Sequence, residues 1–265
     1  MPWSEARTPS GMAYAVVGQG PPLVLVHGLM ARGAMFEPVV EALSADFRLV
    51  VPDLRGHGGS RGLGGPYTVK RSAADVVELL DHLQISATAL LGYSHGGPVC
   101  ELLAFEHPAR VQSLVLACTY AHNAATPRER VESYVFEALA AALGGQRLAR
   151  MMIREGAPTG GGPPLSPARV AWLRQVLGSA SRAALVQSAR EMRDFDSRPW
   201  LSSVTTPALI VAGAEDHAVP EHHFQMLTRA LPHGTVRIVP GAGHTLVWTH
   251  GDVLAELVRS WLSSA

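Results

Sequence analysis

Short apolar runs alternate with stretches of helical periodicity along this chain, and that alternation restricts its fold more than any other feature. The runs that predict β-strands are residues 12–17, 23–26, 48–51, 87–91, 113–117, 208–212 and 235–239. Most are apolar almost without interruption, as expected of parallel strands covered on both faces. Apolar residues at helical spacing predict helices over 72–83, 97–107 and 252–262, with Ser72 as the first N-cap. The pattern indicates an α/β fold with a mainly parallel sheet flanked by helices.

The alternation breaks between residues 119 and 201, where helical stretches occur without a convincing strand. The predicted helices are 128–143, 146–154, 167–176 and 181–193, and a Gly/Pro-rich break covers 156–164. We therefore divide the chain into a first core part (1–118), an all-helical insertion (119–201) and a second core part (202–265). Such an insertion is expected over the carboxyl ends of the strands, where parallel sheets bind ligands, and is predicted to act as a lid. The break is either a lid hinge or a passive loop.

Composition excludes several classes of protein. Hydrophobic residues make up 47% of the 265 residues and charged residues 17%, which is too apolar for a disordered chain. No apolar run approaches the ~18 residues of a membrane span. Because 22 basic residues balance 22 acidic ones, nothing predicts a nucleic-acid or membrane partner. Residues 1–11 lack the features of a signal peptide, so a cytoplasmic location is expected.

The sequence predicts neither a metal site nor a nucleotide cofactor. Cys100 and Cys118 lie in apolar stretches without Cys-x-x-Cys or Cys/His spacing, so both are predicted to be free, buried thiols. No dinucleotide-binding or phosphate-binding glycine motif occurs. Several histidines are predicted to lie on the surface or at helix ends without a third ligand at metal spacing: His217, His222, His223, His233 and His250.

Gly-x-Ser-x-Gly occurs twice, and only its context separates the two copies. The copy at 92–96 ends a predicted strand and opens a predicted helix, the strand–turn–helix setting that raises a serine above a sheet. A Cβ at Gly92 or Gly96 would crowd so sharp a turn. The copy at 58–62 is followed by no helix. Ser94 is therefore predicted to be a nucleophile and Ser60 a structural loop residue.

A serine hydroxyl needs a base to take its proton, and the base needs a carboxylate to orient it. His244 follows the last predicted strand, and Asp216 follows the strand at 208–212. Since parallel strands end at one edge of the sheet, both side chains are expected near Ser94. The order nucleophile, acid, base along the chain predicts a Ser94–Asp216–His244 triad.

This ordered set resembles the α/β-hydrolase-fold serine hydrolases over essentially the whole chain. The matching motifs are His27-Gly28-Leu29, residues 92–97 (GYSHGG), residues 216–220 (DHAVP) and Gly243-His244, together with the similar loop at 53–60. The resemblance implies an acyl-serine mechanism that needs no cofactor. It also implies an oxyanion hole formed by the backbone N–H groups of Leu29 and His95, with Met30 as the alternative to Leu29.

Two positions depart from the family's commonest pattern. Residue 95 is His where Met, Leu or Gln is frequent, and the fold should tolerate it because the backbone supplies the oxyanion contact. Residue 118 is Cys where some relatives carry an acid, which leaves Asp216 as the better acid.

For several other residues the sequence predicts a structural role. Asp53 is predicted to cap a turn or to pair with Arg55, and His57 to fix its loop by a hydrogen bond. A set of large apolar residues in the insertion fits either packing, which we favour, or an acyl pocket: Met151, Met152, Trp172, Leu173 and Trp200.

The sequence therefore predicts a hydrolase that cleaves a small to medium, mainly apolar ester or lactone. The insertion and the helix after Ser94 look similar to enol-lactonases of aromatic catabolism and to small bacterial carboxylesterases. The family also contains lipases, carbon–carbon bond hydrolases and cofactor-free perhydrolases with the same triad. A ligand-binding protein without turnover, resembling the plant hormone receptors of this fold, is the alternative from another class. Convergence of a nucleophile, a base and oxyanion donors favours an enzyme over that protein and over an interaction module.

Overall fold

The computed structural model describes residues 3–154, 157–158 and 161–263. Its main feature is an eight-stranded sheet. The strands of this sheet are β1 (Ala6–Arg7), β2 (Ala13–Val17), β3 (Pro22–Val26), β4 (Arg48–Pro52), β5 (Thr88–Tyr93), β6 (Val111–Ala117), β9 (Ala208–Gly213) and β10 (Gly234–Val239). Their order across the sheet is β1-β2-β4-β3-β5-β6-β9-β10. In this sheet β1 and β2 pair antiparallel, β2 pairs antiparallel with β4, and every other pair is parallel. All the predicted strands are present, and the short β1 is an addition.

Helices cover both faces of the sheet because successive side chains of each strand point to opposite sides. In β3, Leu23 and Leu25 join one buried cluster, whereas Val24 and Val26 join the other. The helices outside the insertion are α1 (Glu37–Leu43), α2 (Val69–His82), α3 (Gly96–Glu106), α7 (Glu221–Ala230), α8 (Leu246–Thr249) and α9 (Gly251–Ser263). Helices α1 and α9 pack against the first cluster, and α2, α3 and α7 pack against the second.

None of the helices described combines the length and the apolar character that crossing a bilayer requires.

The structure differs from the sequence prediction in the start of helix α2 and in three helices that were not predicted. Helix α2 begins at Val69, because the side chain of Thr68 accepts a hydrogen bond from Arg71 N–H and caps the helix. Ser72, the predicted N-cap, is instead buried inside the helix. The unpredicted helices are α1, α7 and α8; α1 and α8 have 7 and 4 residues, too few to show a clear periodicity, and α7 has 10.

Between β6 and β9 the described chain is mainly helical. It contains α4 (Pro127–Met152), α5 (Pro167–Val176) and α6 (Arg182–Asp194). The predicted helices 128–143 and 146–154 correspond to the two halves of α4, which is kinked at Gly144, where φ is +70°. The prediction of no strand in this region is wrong, because β7 (Ile153–Arg154) and β8 (Ala157–Pro158) form a small antiparallel pair. Of the Gly/Pro-rich break, residues 156, 159 and 160 lie outside the described residues.

The insertion rests on loops at the carboxyl edge of the sheet. Gly178 N–H donates to the carbonyl of Met30, and Ser179 Oγ donates to the carbonyls of Met30 and Ala31. Ser181 N–H donates to the carbonyl of Gly56 in the loop after β4. The division into domains at residues 118 and 201 remains a prediction.

A buried ion pair fastens the loop after β4 to helix α2. Arg55 Nε and Nη2 donate to the two carboxylate oxygens of Asp75, at 2.5 and 2.8 Å, and both side chains are buried. The predicted pairing of Arg55 with Asp53 is therefore wrong. The Asp53 carboxylate instead accepts hydrogen bonds from Gly33 N–H and Gly59 N–H, which confirms the alternative prediction of a turn cap.

Asp75→Ala is expected to lower the free energy of unfolding by about 3–5 kcal/mol, because it leaves the Arg55 guanidinium buried without its carboxylate. The matched control is Asp81→Ala on the same helix. Asp81 pairs with Arg110, but the Asp81 side chain is 63% exposed. That variant should lose less than about 1 kcal/mol. Urea denaturation measures both values, and equal losses would contradict a special role for the buried pair.

Candidate active site

Ser94 lies at a sharp turn between β5 and α3, and its backbone is strained. Its φ is +52°, a left-handed conformation that costs a residue with a Cβ roughly 1–3 kcal/mol. Hydrogen bonds to β6 and the residues after it hold this conformation. Ser94 N–H donates to Ala117 O at 3.0 Å, and Ser94 O accepts from Thr119 Oγ1 at 2.6 Å and from Gly97 N–H at 2.9 Å. Thr119 was not singled out from the sequence, because its partner lies 25 residues away.

Glycines flank Ser94 because the backbone approaches its neighbours too closely for a side chain. A Cβ on Gly92 would lie 2.7 Å from Gly96 O, and one on Gly96 would lie 2.1 Å from Val26 O in strand β3. A Cβ on Gly97 would lie 2.1 Å from Thr119 Oγ1. The turn that presents Ser94 therefore forms only with these glycines.

The structure brings Ser94, His244 and Asp216 into one hydrogen-bonded chain. His244 Nε2 lies 3.2 Å from Ser94 Oγ, and His244 Nδ1 lies 2.9 Å from Asp216 Oδ2. An ionised carboxylate only accepts hydrogen bonds, so Nδ1 carries the ring proton and Nε2 keeps a lone pair toward the serine hydroxyl. This arrangement is able to take a proton from Ser94 when its oxygen attacks an electrophile.

Neighbouring groups fix the two partners of Ser94. Asp216 Oδ1 accepts from Ala218 N–H at 2.9 Å and from Val219 N–H at 2.8 Å, so the carboxylate is oriented by its own turn. Tyr93 donates its hydroxyl to the carbonyl of His244, and the two rings are 5.3 Å apart. Burial raises the pKa of Tyr93 well above its ordinary value, which keeps this donor protonated. Tyr93 lies inside the predicted motif, but its role needed the folded distance.

The loop after β3 lies directly against Ser94. A Cβ on Gly28 would be 3.0 Å from Ser94 Cβ, so any larger residue here would press against the serine. Among the residues described, no acceptor pairs with the backbone N–H groups of Leu29, Met30 or His95. These donors are available beside the serine, and Leu29 and Met30 remain alternatives for the predicted oxyanion hole.

Behind this loop lie three buried histidines that are neutral. His27 Nε2 accepts from Leu54 N–H, so its Nδ1 is protonated and donates to Gly28 O. His57 Nδ1 is paired with Arg55 O, which confirms the prediction that it fixes its loop. Burial lowers the pKa to about 4 for His27, about 3 for His57 and about 4 for His95. The His95 ring contacts Tyr120, because its Nδ1 lies 2.9 Å from the Tyr120 hydroxyl oxygen.

The second Gly-x-Ser-x-Gly copy has no comparable surroundings. Ser60 is buried, and its Oγ accepts a hydrogen bond from Ala13 N–H at 2.8 Å. This contact ties the loop to strand β2, in agreement with the structural role predicted for Ser60.

Two groups of side chains in the described part of the chain have ligand atoms close enough for a metal ion. One is Cys118 with Asp216 and His244, and the other is Glu129 with His222 and His223. The second group contradicts the prediction that these histidines lack a third partner. Sequence spacing missed Glu129 because it precedes His223 by 94 residues. Burial raises the pKa of the Cys118 thiol, so a thiolate ligand is disfavoured in the first group.

A cavity of about 410 Å³ opens above Ser94 and His244. Of the apolar residues singled out in the insertion, Met152 and Leu173 line it. Met151, Trp172 and Trp200 are not among the lining residues, and Trp200 stacks on Phe105 with ring centres 4.7 Å apart. Met152 and Leu173 also pack in apolar clusters of the insertion, so both the favoured prediction of packing and the alternative of lining the cavity hold for them.

A mainly parallel sheet that carries a serine, a histidine and an aspartate on loops at one edge defines an α/β protein of the hydrolase type. The family model for the alpha/beta hydrolase fold matches residues 21–251, and the chain belongs to that family. This confirms the predicted α/β-hydrolase fold. Family membership supports a hydrolase.

The relatives carry different names. The chain is 32% identical to the magnesium-chelatase 30 kDa subunit of Rhodobacter capsulatus, over 92% of this chain and 87% of that protein. It is 28% identical to 3-oxoadipate enol-lactonase 2 of Acinetobacter baylyi, over 85% of this chain and 84% of that protein. A thermophilic esterase from Thermogutta terrifontis superposes with a TM-score of 0.84 at 26% identity, covering 99% of this chain and 98% of that one.

The two Gly-x-Ser-x-Gly copies provide a matched test of the turn. Gly96→Ala places a Cβ 2.1 Å from Val26 O, whereas a Cβ on Gly62 meets nothing within 4 Å. We expect Gly96→Ala to destabilise the fold by more than about 3 kcal/mol or to prevent folding, and Gly62→Ala to change stability by less than about 1 kcal/mol. Circular dichroism with urea titration measures both, and a stable Gly96→Ala protein would contradict the close approach.

The buried imidazoles predict how stability depends on pH. In the unfolded chain these histidines bind protons below pH 6.5, but the native His27, His57 and His95 do so only near pH 3–4. The free energy of unfolding therefore falls as pH falls below 6.5, by up to ~1.4 kcal/mol per pH unit for each histidine. Burial raises the pKa of Glu101 to about 8, so the contribution of Glu101 to the free energy of unfolding decreases as pH rises from 4.5 to 8.

Burial also lowers the pKa of His223 to about 4, and it raises the pKa of Asp53 and Glu191 as it does that of Glu101. Because four histidines oppose these carboxyl groups, we expect stability to decrease between pH 6.5 and pH 4.5. Urea titrations at half-unit intervals give the slope directly. A flat or rising profile toward acid would show that the imidazoles are not held neutral.

Proposed function

We propose that this protein is a serine-dependent carboxylic ester hydrolase that acts through an acyl-serine intermediate. The observation that carries the proposal is the Ser94–His244–Asp216 hydrogen-bonded chain at the base of the cavity. The relatives named as an enol-lactonase and as an esterase support hydrolysis of an ester or lactone. The reaction requires no cofactor, since the side chains supply the nucleophile, the acid and the base.

In the first half of the reaction, Ser94 Oγ attacks the carbonyl carbon while His244 Nε2 takes its proton. Asp216 holds the imidazole in the required tautomer and stabilises the imidazolium. The N–H groups of His95 and of Leu29 or Met30 donate to the developing oxyanion, at a gain of ~3 kcal/mol per donor. The C–O bond to the alcohol then breaks, and His244 gives its proton to the departing oxygen.

In the second half, water replaces the alcohol. His244 removes a proton from the water as its oxygen attacks the acyl carbon, and the oxyanion donors act again. The bond from the acyl carbon to Ser94 Oγ breaks, His244 returns the proton to Ser94, and the acid leaves.

The helical insertion is the proposed lid. Side chains from α4, α5 and α6 line the cavity, Phe136, Leu173 and Met192 among them. A volume of about 410 Å³ is within the range of small-molecule sites, so the substrate is of small to medium size. The cavity's many aliphatic and aromatic side chains favour a mainly apolar acyl or alcohol group.

The experiment that tests this function is labelling with a fluorophosphonate, followed by intact-mass measurement. We expect one adduct on the wild type and on Ser60→Ala, and none on Ser94→Ala, because the Ser94 hydroxyl has His244 as a base within reach, whereas the Ser60 hydroxyl accepts from Ala13 N–H. With p-nitrophenyl esters of increasing acyl length, Asp216→Asn should lower kcat roughly 10⁴-fold, since it favours the wrong imidazole tautomer.

Ser60→Ala is the matched control because it removes the serine of the other motif copy. Adducts on Ser94→Ala would locate the nucleophile elsewhere. An unlabelled wild type that still binds esters would support a ligand-binding protein of this fold.

A further inference from the structure

The walls of the cavity have two different chemical characters. One side is apolar, and its members come from the loop after β3, the end of α4, α5 and α8: Met30, Met35, Met152, Ile153, Leu173, Leu177 and Trp248. The other side, which we call the polar wall, comes from the loop after β6, the start of α4 and the start of α7: Tyr120, Asn123, Glu129, Glu132, Ser133 and His223.

Contacts join the members of the polar wall to one another. Glu129 Oε1 lies 3.2 Å from His223 Nε2, and the His223 ring lies 6.2 Å from that of Tyr120. Asn123 Nδ2 donates to Ser133 Oγ at 3.4 Å. The apolar side is joined in the same way, because Ile153, Leu173, Leu177 and Trp248 pack in one cluster. Polar contacts therefore occur within the polar wall, and apolar contacts occur within the apolar side.

The polar wall carries negative charge without a matching cation in the cavity. Glu129 and Glu132 line it, whereas no lysine or arginine of the described chain does. Arg128 pairs with Glu132 at 2.7 Å, and because the two side chains are 87% and 56% exposed, water screens both charges of this pair. Glu129 is held by a backbone donor and two histidines. Thr126 N–H donates to its Oε2, and its Oε1 lies 2.8 Å from His222 Nε2 and 3.2 Å from His223 Nε2, where burial lowers the pKa of His223 to about 4.

The same wall presents hydrogen-bond acceptors. Because Glu129 is an acceptor, the proton of the neutral His223 ring lies on Nε2, which leaves a lone pair on Nδ1. That Nδ1 atom is shielded from water and has no partner among the described residues. The carboxylates of Glu129 and Glu132 add further acceptors. A ligand group that donates hydrogen bonds or carries positive charge complements this surface.

We propose that the polar wall is a subsite for the donor end of the substrate, an ammonium, amino or hydroxyl group, and that it rejects substrates bearing a carboxylate. This inference rests on the proposed function, since it assigns the substrate class of the same cavity. It separates this protein from a hydrolase of dicarboxylic acid derivatives, because a free carboxylate on the substrate would meet like charge at Glu129 and Glu132.

The test compares p-nitrophenyl esters of three acids with equal chain length: 6-aminohexanoic, heptanoic and adipic acid, ending in an ammonium, a methyl and a carboxylate group. A second pair, butyrylthiocholine and 3,3-dimethylbutyl thiobutyrate, places the charge difference in the alcohol. All assays contain EDTA, because Glu129, His222 and His223 lie close enough to hold a divalent metal ion. In the wild type, kcat/KM for the adipate ester should be at least tenfold below that for heptanoate, and at least one ammonium substrate should match or exceed its neutral counterpart.

The variant Glu129→Gln/Glu132→Gln keeps the shape of the wall and removes its charge. We expect its kcat/KM ratio of ammonium to carboxylate ester to fall at least tenfold relative to the wild type. The control Glu41→Gln/Glu256→Gln removes the same charge from exposed positions that do not line the cavity, and should keep the wild-type ratio. An adipate ester cleaved as well as heptanoate, or an equal ratio in wild type and the cavity variant, would overturn the proposal.

Binding to Ser94→Ala separates this inference from the proposed function. Calorimetric titration of the intact esters into that variant measures recognition without turnover. Charge preference in binding, together with no fluorophosphonate adduct on the wild type, would retain the subsite and refute the hydrolase. Labelling and turnover without any charge preference would support the hydrolase and refute the subsite.

Discussion

The strained backbone of Ser94 is the constraint on which the rest of the site depends. Its positive φ turns the chain from the end of β5 into α3 within a few residues, and this is possible only while α3 packs onto the backbone of β3. Gly92 and Gly96 permit that approach, and the hydrogen bonds of Ser94 to Ala117 and Thr119 hold it. The strain is local, but the groups that oppose it belong to β6 and the residues after it, so the neighbouring chain holds the conformation that presents the serine.

The parallel register then gives the other two residues of the hydrogen-bonded chain their positions. Across the sheet, Tyr93 pairs with Ala117, Ala117 with Val211, and Gly213 with Val239. The loops that follow β5, β9 and β10 therefore start at almost the same level of one edge. This is how residues 150 positions apart, Ser94 and His244, come within 3.2 Å. Two short adjustments complete the geometry: the turn that orients Asp216 and the Tyr93 hydroxyl on the carbonyl of His244.

Sequence reasoning predicted the features that local patterns encode. The strands follow from continuous apolar runs, and the setting of Ser94 follows from the motif between a strand and a helix. Partners chosen by the fold could not be predicted this way: Arg55 has an acid two residues away, yet pairs with Asp75 on α2, 20 residues away. Glu129 and His223 are likewise unrelated in sequence, and each reads as an ordinary helix-start residue by itself. Thr68 replaced Ser72 as N-cap because both residues suit the position and only the backbone distinguishes them.

The insertion contributes to the chemistry as well as to the cavity. The described strands of the insertion do not join the eight-stranded sheet. Gly178 N–H and Ser179 Oγ nevertheless donate hydrogen bonds to the carbonyl of Met30, whose φ is +69°. Since the carbonyl of Met30 is held from the insertion, the insertion fixes the peptide next to the free N–H groups of Leu29 and Met30. The same insertion carries Glu129 and Glu132 at one end and Met152 and Leu173 on the apolar side. A change in how it packs therefore alters the proposed oxyanion donors and the selective walls together, which couples reactivity to substrate fit in one element.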